Sequence, residues 1–96
     1  MHVKISAAAE ADLEEIGDFI AVGSPERAVS FITELREHCQ KIAGAPTGYP
    51  SRSELVEGLR LCVHKKYLIF FRVLEKEIRI ERILHGAQDV NHLFEE

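Results

Sequence analysis

Two cysteines, Cys39 and Cys62, are all that the 96-residue chain contains. They are too few for a disulfide framework and form no C-x-x-C pair, so neither a stapled secreted scaffold nor a paired zinc motif is expected. Long apolar runs are missing too. The longest, Tyr67 to Phe71, falls far short of the ~20 residues a membrane helix needs. Met1 leads straight into His2-Val3-Lys4-Ile5, without the apolar core of a signal peptide, and a reducing cytoplasm is the expected location. The glycines at 17, 23, 44, 48, 58 and 86 match neither G-x-G-x-x-G nor the P-loop, which excludes a nucleotide cradle of either kind. His64, His85 and His92 lack any H-E-x-x-H spacing, so no metal and no cofactor are expected. Aromatics are few, five Phe and two Tyr, and Phe19, Phe31, Tyr67, Phe70 and Phe71 suit packing better than base stacking. With a net charge of −4, direct nucleic-acid binding is not expected. No repeat, low-complexity run or second domain interrupts residues 1–96, which read as one domain.

The charge is unevenly spread. Residues 1–57 hold five basic and ten acidic side chains. Residues 58–84 reverse this, with seven basic against three acidic, and residues 85–96 add three acidic groups. A basic block inside an acidic chain fits either a polarised surface meeting an acidic partner or strand faces that need solubilising charge.

Hydrophobic periodicity gives the elements. Val3 and Ile5 alternate with polar neighbours, a short strand. Ser6 can cap a helix whose stripe is Ala9, Leu13, Ile16 and Ile20. Gly23 ends that helix, and Ser24-Pro25-Glu26 opens a second with Ala28, Phe31, Ile32, Leu35, Cys39 and Ile42 on one side. So short a break predicts an antiparallel helical hairpin. Pro46, Gly48 and Pro50 mark a loop. The period then changes to two. Leu59, Leu61 and Val63 alternate with polar or small residues, and Tyr67 to Leu74 is apolar on both faces except at Arg72, as in an interior strand. Ile78 and Ile80 alternate with charged residues until the pattern slips at Arg82-Ile83-Leu84, predicting a bulge. Val90, Leu93 and Phe94 fit one closing helical turn. The expected fold is α+β: a helical hairpin packed on an antiparallel sheet, in the order β-α-α-β-β-β with a short C-terminal helical turn.

Catalytic chemistry has one candidate constellation, Arg60, His64, Arg72, Arg82 and His85. Clustered cations and histidines can clamp a phosphate and supply acid or base for cleaving RNA. The alternative is that the arginines pair with Glu75, Glu77 and Glu81 across strands, and alternation sets Arg82 and His85 on opposite faces unless a bulge intervenes. Cys39 lies on the apolar stripe and reads as core. Cys62 shares a strand face with Arg60 and His64, an environment that would make its thiol more acidic.

Ordered fragments along nearly the whole chain carry a resemblance. They are Ala9-Glu10-Ala11-Asp12-Leu13-Glu14-Glu15-Ile16 with Asp18-Phe19-Ile20, then Ser24-Pro25-Glu26-Arg27-Ala28 with Phe31 and Leu35, then Pro46 and Gly48 before Glu54-Leu55. Gly58-Leu59-Arg60, Tyr67-Leu68-Ile69-Phe70-Phe71-Arg72-Val73 and Ile83-Leu84-His85-Gly86-Ala87-Gln88-Asp89 complete the set. In that order and spacing, the chain resembles the ParE group of the RelE/ParE toxin superfamily. The resemblance implies the same fold and a toxin of a type II toxin–antitoxin system with a part in plasmid stabilisation. Such a toxin poisons DNA gyrase by protein–protein binding and is silenced by a ParD-like antitoxin. RelE-like relatives instead cut messenger RNA on the ribosome. Here Tyr67 stands in the place of their strand arginine, Ala87-Gln88 follows His85-Gly86 in place of a basic pair, and Leu93 and Phe94 occupy the C-terminal segment where a tyrosine would be wanted. The expectation is therefore a non-enzymatic gyrase poison. Arg60, Arg72, Arg82 and His85 are expected to contact antitoxin or target, and the Val90-Leu93-Phe94 end to close the core or join that interface. Two other readings are a ribonuclease using Arg60, Arg82 and His85, and a member that only binds its antitoxin. Gly17 departs from the aromatic usual in relatives, and Gln88 from their arginine.

Overall fold

A computed structural model describes residues 1–94. Strand β1, His2–Ile5, buries Val3 and hands over to Ser6. The Ser6 hydroxyl accepts the Ala9 N–H at 3.1 Å and donates to the Glu81 carbonyl at 3.1 Å, while its backbone N–H reaches the Ile80 carbonyl at 3.0 Å. One residue thus caps helix α1, Ala7–Ala21, and sews its start to the sheet. The helix ends where the N–H groups of Gly23 and Ser24 converge on the Ile20 carbonyl. Ser24 then caps helix α2, Pro25–Lys41, accepting the Arg27 N–H at 3.1 Å, with Pro25 in the first helical turn. The hairpin forms as the sequence predicts.

Two 3-10 turns, Ile42–Gly44 and Pro46–Gly48, lead into a loop closed by Gly58, whose φ of +79° is the left-handed conformation that favours glycine. Strands β2 (Leu59–His64), β3 (Tyr67–Val73) and β4 (Glu77–His85) follow as an antiparallel meander, and a short helix α3 spans Val90–Leu93. The sheet order is β1-β4-β3-β2, which makes β3 interior as expected. The sheet is mixed, however, because β1 runs parallel to β4 in the register His2↔Glu77 to Ile5↔Ile80. The hairpin and the meander together form the long connection that a parallel pair requires.

The bulge falls at Glu81, one residue before the predicted slip: Phe70 faces Arg82 while the next residue, Phe71, faces Ile80. Its effect is on side-chain facing. Ile78, Ile80 and Ile83 all enter the helix-side core, whereas strict alternation from Ile80 would send Ile83 to the other face. That core also contains Leu13, Ile16, Phe31, Leu35, Cys39, Ile42, Cys62, Ile69 and Phe71. The opposite face holds a smaller cluster, Leu59, Phe70 and Leu84, roofed by Leu55, Val56, Val90 and Phe94. Among the described residues no helix is long and apolar enough to cross a membrane.

Candidate interaction surface

The arginines of the basic block are largely engaged within the chain. Arg60 on β2 donates to the Tyr49 carbonyl at 2.8 Å, pinning the loop ahead of the strand. Arg72 on β3 pairs with Glu81 at 3.0 Å, and Arg79 with Glu77 at 3.4 Å, so the cross-strand alternative holds for Arg72. Arg82 grips Asp12 of α1 with two bonds of 2.8 Å, Nε to Oδ2 and Nη2 to Oδ1. Asp12 is buried and also accepts the Ile83 N–H at 2.9 Å, so it caps the edge of β4 just beyond the end of β1. The Asp12 carboxylate beside it raises the affinity of the Arg82 guanidinium for its proton.

His85 lies at the end of the same edge. Its Nδ1 accepts the Ala87 N–H at 3.1 Å, its backbone N–H donates to Gln88 Oε1 at 2.8 Å, and its ring meets Tyr67 edge-on at 5.2 Å. Arg82 projects from the face of Leu84 and His85 from that of Ile83, yet both line one hollow of about 280 Å³ with Asp12, Glu15, Phe19 and Tyr67. The long Arg82 side chain reaches around the open strand edge to α1, which is how residues of opposite parity meet. Arg60 and Arg72 do not line this hollow. At the C-terminal end the two apolar candidates separate. Phe94 packs edge-to-face on Phe70 at 5.0 Å, whereas Leu93 is exposed.

The hairpin carries the apolar surface. Phe19, Val22 and Val29 are 77%, 90% and 70% exposed. Between the helices runs a groove of about 530 Å³ floored by Leu13, Gly17, Ala21, Ala28 and Ile32, with Glu14 and Asp18 at its rim. Gly17 makes the notch in it: a Cβ there would lie 3.4 Å from Ile32 Cγ1. A contiguous apolar groove edged by charge is the usual form of a protein-binding site.

A second polar chain joins His64 and Cys62, both candidates in the sequence, to Glu34 and His38, which were not. His64 on β2 donates from Nε2 to Glu34 Oε2 at 2.7 Å, its Nδ1 lies 2.6 Å from His38 Nδ1, and His38 Nε2 lies 3.3 Å from Cys62 Sγ. Lys65 joins Glu34 at 3.0 Å, and the bonds from Lys65 and then His64 lower the Glu34 carboxyl below its ordinary range. Burial, then the His64 and Lys41 charges, lowers His38. Nothing in the sequence marks His38, which stands beside Cys39 of the α2 stripe just as Asp12 stands beside Leu13 of the α1 stripe. Asp12 is buried there and His38 half-buried. Cys62 corrects an expectation. It is buried in the helix-side core, and burial pushes its thiol up, against a smaller opposing contribution from the Tyr49 hydroxyl.

This arrangement, a helical hairpin clamped to one face of a four-stranded sheet, defines a known class of small α+β proteins. A solved structure from the chromosomal ParDE toxin–antitoxin system of P. aeruginosa shares it with a TM-score of 0.79 and 30% sequence identity, covering 88% of this chain and 95% of that one. Residues 3–90 match the family described as the ParE toxin of the type II toxin–antitoxin system parDE, and the chain belongs to that family. No curated protein matches it.

Proposed function

We propose that this ParE toxin acts by binding: it poisons DNA gyrase through protein–protein contact and is neutralised by a ParD-like antitoxin. The observation that carries this reading is the engagement of the cations. Arg82 is held by Asp12, Arg72 by Glu81 and Arg60 by a loop carbonyl, so among the described residues these three do not converge as a phosphate clamp. His85 has one ring nitrogen committed to the Ala87 N–H, which leaves a single nitrogen for proton transfer. An RNA-cleaving site would need several cations around one phosphate.

The exposed apolar groove of α1 and α2 suits an amphipathic antitoxin helix, whose basic residues would meet Glu14 and Asp18 at the rim. Arg72 and Arg82 remain partly exposed beside their partners and present positive surface to an acidic extended segment. Leu93 and the His85 end of the hollow are the contacts assigned to the target. The cytoplasm, where gyrase works, is the matching location.

The test is a gyrase supercoiling and DNA-cleavage assay with purified toxin, run beside an in vitro translation assay with wild type and His85→Ala. Gyrase-dependent double-strand breaks with messages intact support the reading. Message cleavage that disappears in His85→Ala, with gyrase unaffected, replaces it by a ribonuclease. No effect in either assay leaves a protein that only binds its antitoxin.

A further inference from the structure

The polar chain between α2 and β2 is independent of the toxin reading. His38 and His64 come from two rigid elements, and their Nδ1 atoms meet head-on at 2.6 Å, with the ring centroids 4.9 Å apart. Two ring nitrogens so placed make one N–H···N hydrogen bond, with a single proton between them. The outer nitrogen of each ring is engaged as well. His64 Nε2 donates to Glu34 Oε2 at 2.7 Å, and His38 Nε2 lies 3.3 Å from Cys62 Sγ, which can donate or accept. The chain Glu34–His64–His38–Cys62 therefore stays bonded throughout in two charge states. When both rings are neutral, His38 Nδ1–H donates to His64 Nδ1 and the Cys62 S–H to His38 Nε2. One added proton settles on His38 Nε2 while the bridging proton passes to His64 Nδ1. His64 is then the imidazolium on the Glu34 carboxylate, and His38 Nε2–H donates to the Cys62 sulfur. A second added proton has no such place.

We infer that the His38–His64 pair is an acid-sensitive latch between α2 and the edge strand β2, closed while the rings share one bridging proton and opened when both become imidazolium. Two imidazolium rings carry an N–H on each facing Nδ1, so the bridge is lost and two like charges stand beside one carboxylate, Glu34. The other charged and titratable groups come from every element packed on the pair. Glu34 and Lys41 belong to α2, Cys62 to β2 and Lys65 to the turn after it. Tyr49 reaches Cys62 from the loop before β2, and Tyr67 stands opposite His64 on β3. Arg27 lies one ring further out, over the Phe31 that meets His64 edge-on. The three cations oppose a second positive charge, and Glu34 is already shared between His64 and Lys65. Burial, then the His64 and Lys41 charges, holds His38 below the ordinary 6.5. Stability from the latch is therefore complete above pH 6.5 and is lost as pH falls from there through the lowered His38 value. Glu34, lowered from 4.5, gives way only below that value, in a separate window. Opening frees the His38 end of α2 from β2.

Urea unfolding of the full chain across acid pH reads the latch. Between about pH 6.5 and about pH 5 the folding equilibrium constant should fall by up to about tenfold per pH unit, the slope of one proton. His38→Gln should flatten this segment, whereas His2→Gln, on the far strand of the sheet, should keep it. Because a change at His38 can also loosen the fold, imidazole 15N NMR of the wild type gives a separate reading. Near neutral pH a scalar coupling through the N–H···N bond should join the Nδ1 signals of His38 and His64. It should vanish as the 15N shifts report protonation of the second ring. No coupling near neutral pH, coupling that persists once both rings are protonated, or a slope that survives His38→Gln would overturn the latch.

Discussion

At the scale of single residues, the Asp12–Arg82 pair joins α1 to β4 by two bonds of 2.8 Å. Asp12 accepts three hydrogen bonds, two from the guanidinium and one from the Ile83 N–H. Asp12→Ala strands a part-buried cation and a buried backbone donor, and we expect a loss of about 2–4 kcal/mol in urea unfolding, below the value for a fully buried pair because Arg82 is partly solvated. Asp12→Asn keeps an acceptor for the Ile83 N–H and should cost less. If the two variants lose equally, the backbone cap contributes nothing. The cysteines give a second prediction at this scale. Burial pushes the Cys39 thiol up to about 12, so it stays protonated when folded at pH values where an unfolded thiol has ionised. Any stability it contributes is therefore intact below the ordinary value of 9.0 and is lost as pH climbs from there toward about 12. In native protein at pH 8, DTNB should label Cys39 and Cys62 far more slowly than in urea. Rapid labelling of either before unfolding would contradict their placement in the core.

At the scale of elements, the places of α1 and α2 were legible because stripe, cap and stop agree: Ser6 and Ser24 cap where the sequence puts caps, and the chain breaks at Gly23, but Phe19, expected to pack, is 77% exposed because it faces away from the sheet. The interior position of β3 followed from apolar residues on both faces. The direction of β1 was not legible. Four residues with one buried position carry no mark of parallel or antiparallel pairing, which is set by where the chain returns 75 residues later, from His2↔Glu77 to Ile5↔Ile80. The candidate site was read only in part. Composition identifies Arg60, Arg72 and Arg82 as cations, but their partners Tyr49, Glu81 and Asp12 depend on tertiary placement. Asp12 reads from periodicity as one of the polar residues opposite the α1 stripe, and His38 carries no mark at all, so the burial of the first and the half-burial of the second emerge only from the fold. Gly17 is the element-scale test. The site for its Cβ lies 3.4 Å from Ile32 Cγ1, within ordinary contact, so Gly17→Ala should gain ~0.5–1 kcal/mol from helix propensity. The same methyl fills the notch in the hairpin groove and should weaken antitoxin binding if the antitoxin helix seats there. A destabilised Gly17→Ala in thermal unfolding would mean that α1 and α2 cannot yield at Ile32.

At the scale of the whole molecule, one sheet separates two unequal cores. The helix-side core is sealed by two long capped helices, while the other is covered by the loop before β2 and by the single turn of α3. The loop is nonetheless bonded to β2: Leu61 N–H meets the Pro50 carbonyl at 3.0 Å, and Arg52 N–H the Leu59 carbonyl at 2.7 Å. These bonds cover the outer edge of β2, as Ser6 and Asp12 cover the part of β4 that extends beyond β1, so both of these exposed stretches are partly closed to stray pairing. A cover resting on so small an apolar cluster should open before the helices release the sheet. Native-state amide exchange should therefore give lower opening free energies for Arg52, Leu55 and Leu61 than for Ile69 and Ile83. Phe94→Ala removes a half-buried ring from Phe70 and should lower the loop values by about 1–2 kcal/mol, less than the 3–5 typical of a fully buried phenylalanine. Equal losses on both sides of the sheet would instead mean one cooperative core. The same measurement on the antitoxin complex maps the docking face. A helix seated on α1 and α2 raises protection there while the loop before β2 keeps its own opening rate, because the sheet lies between them.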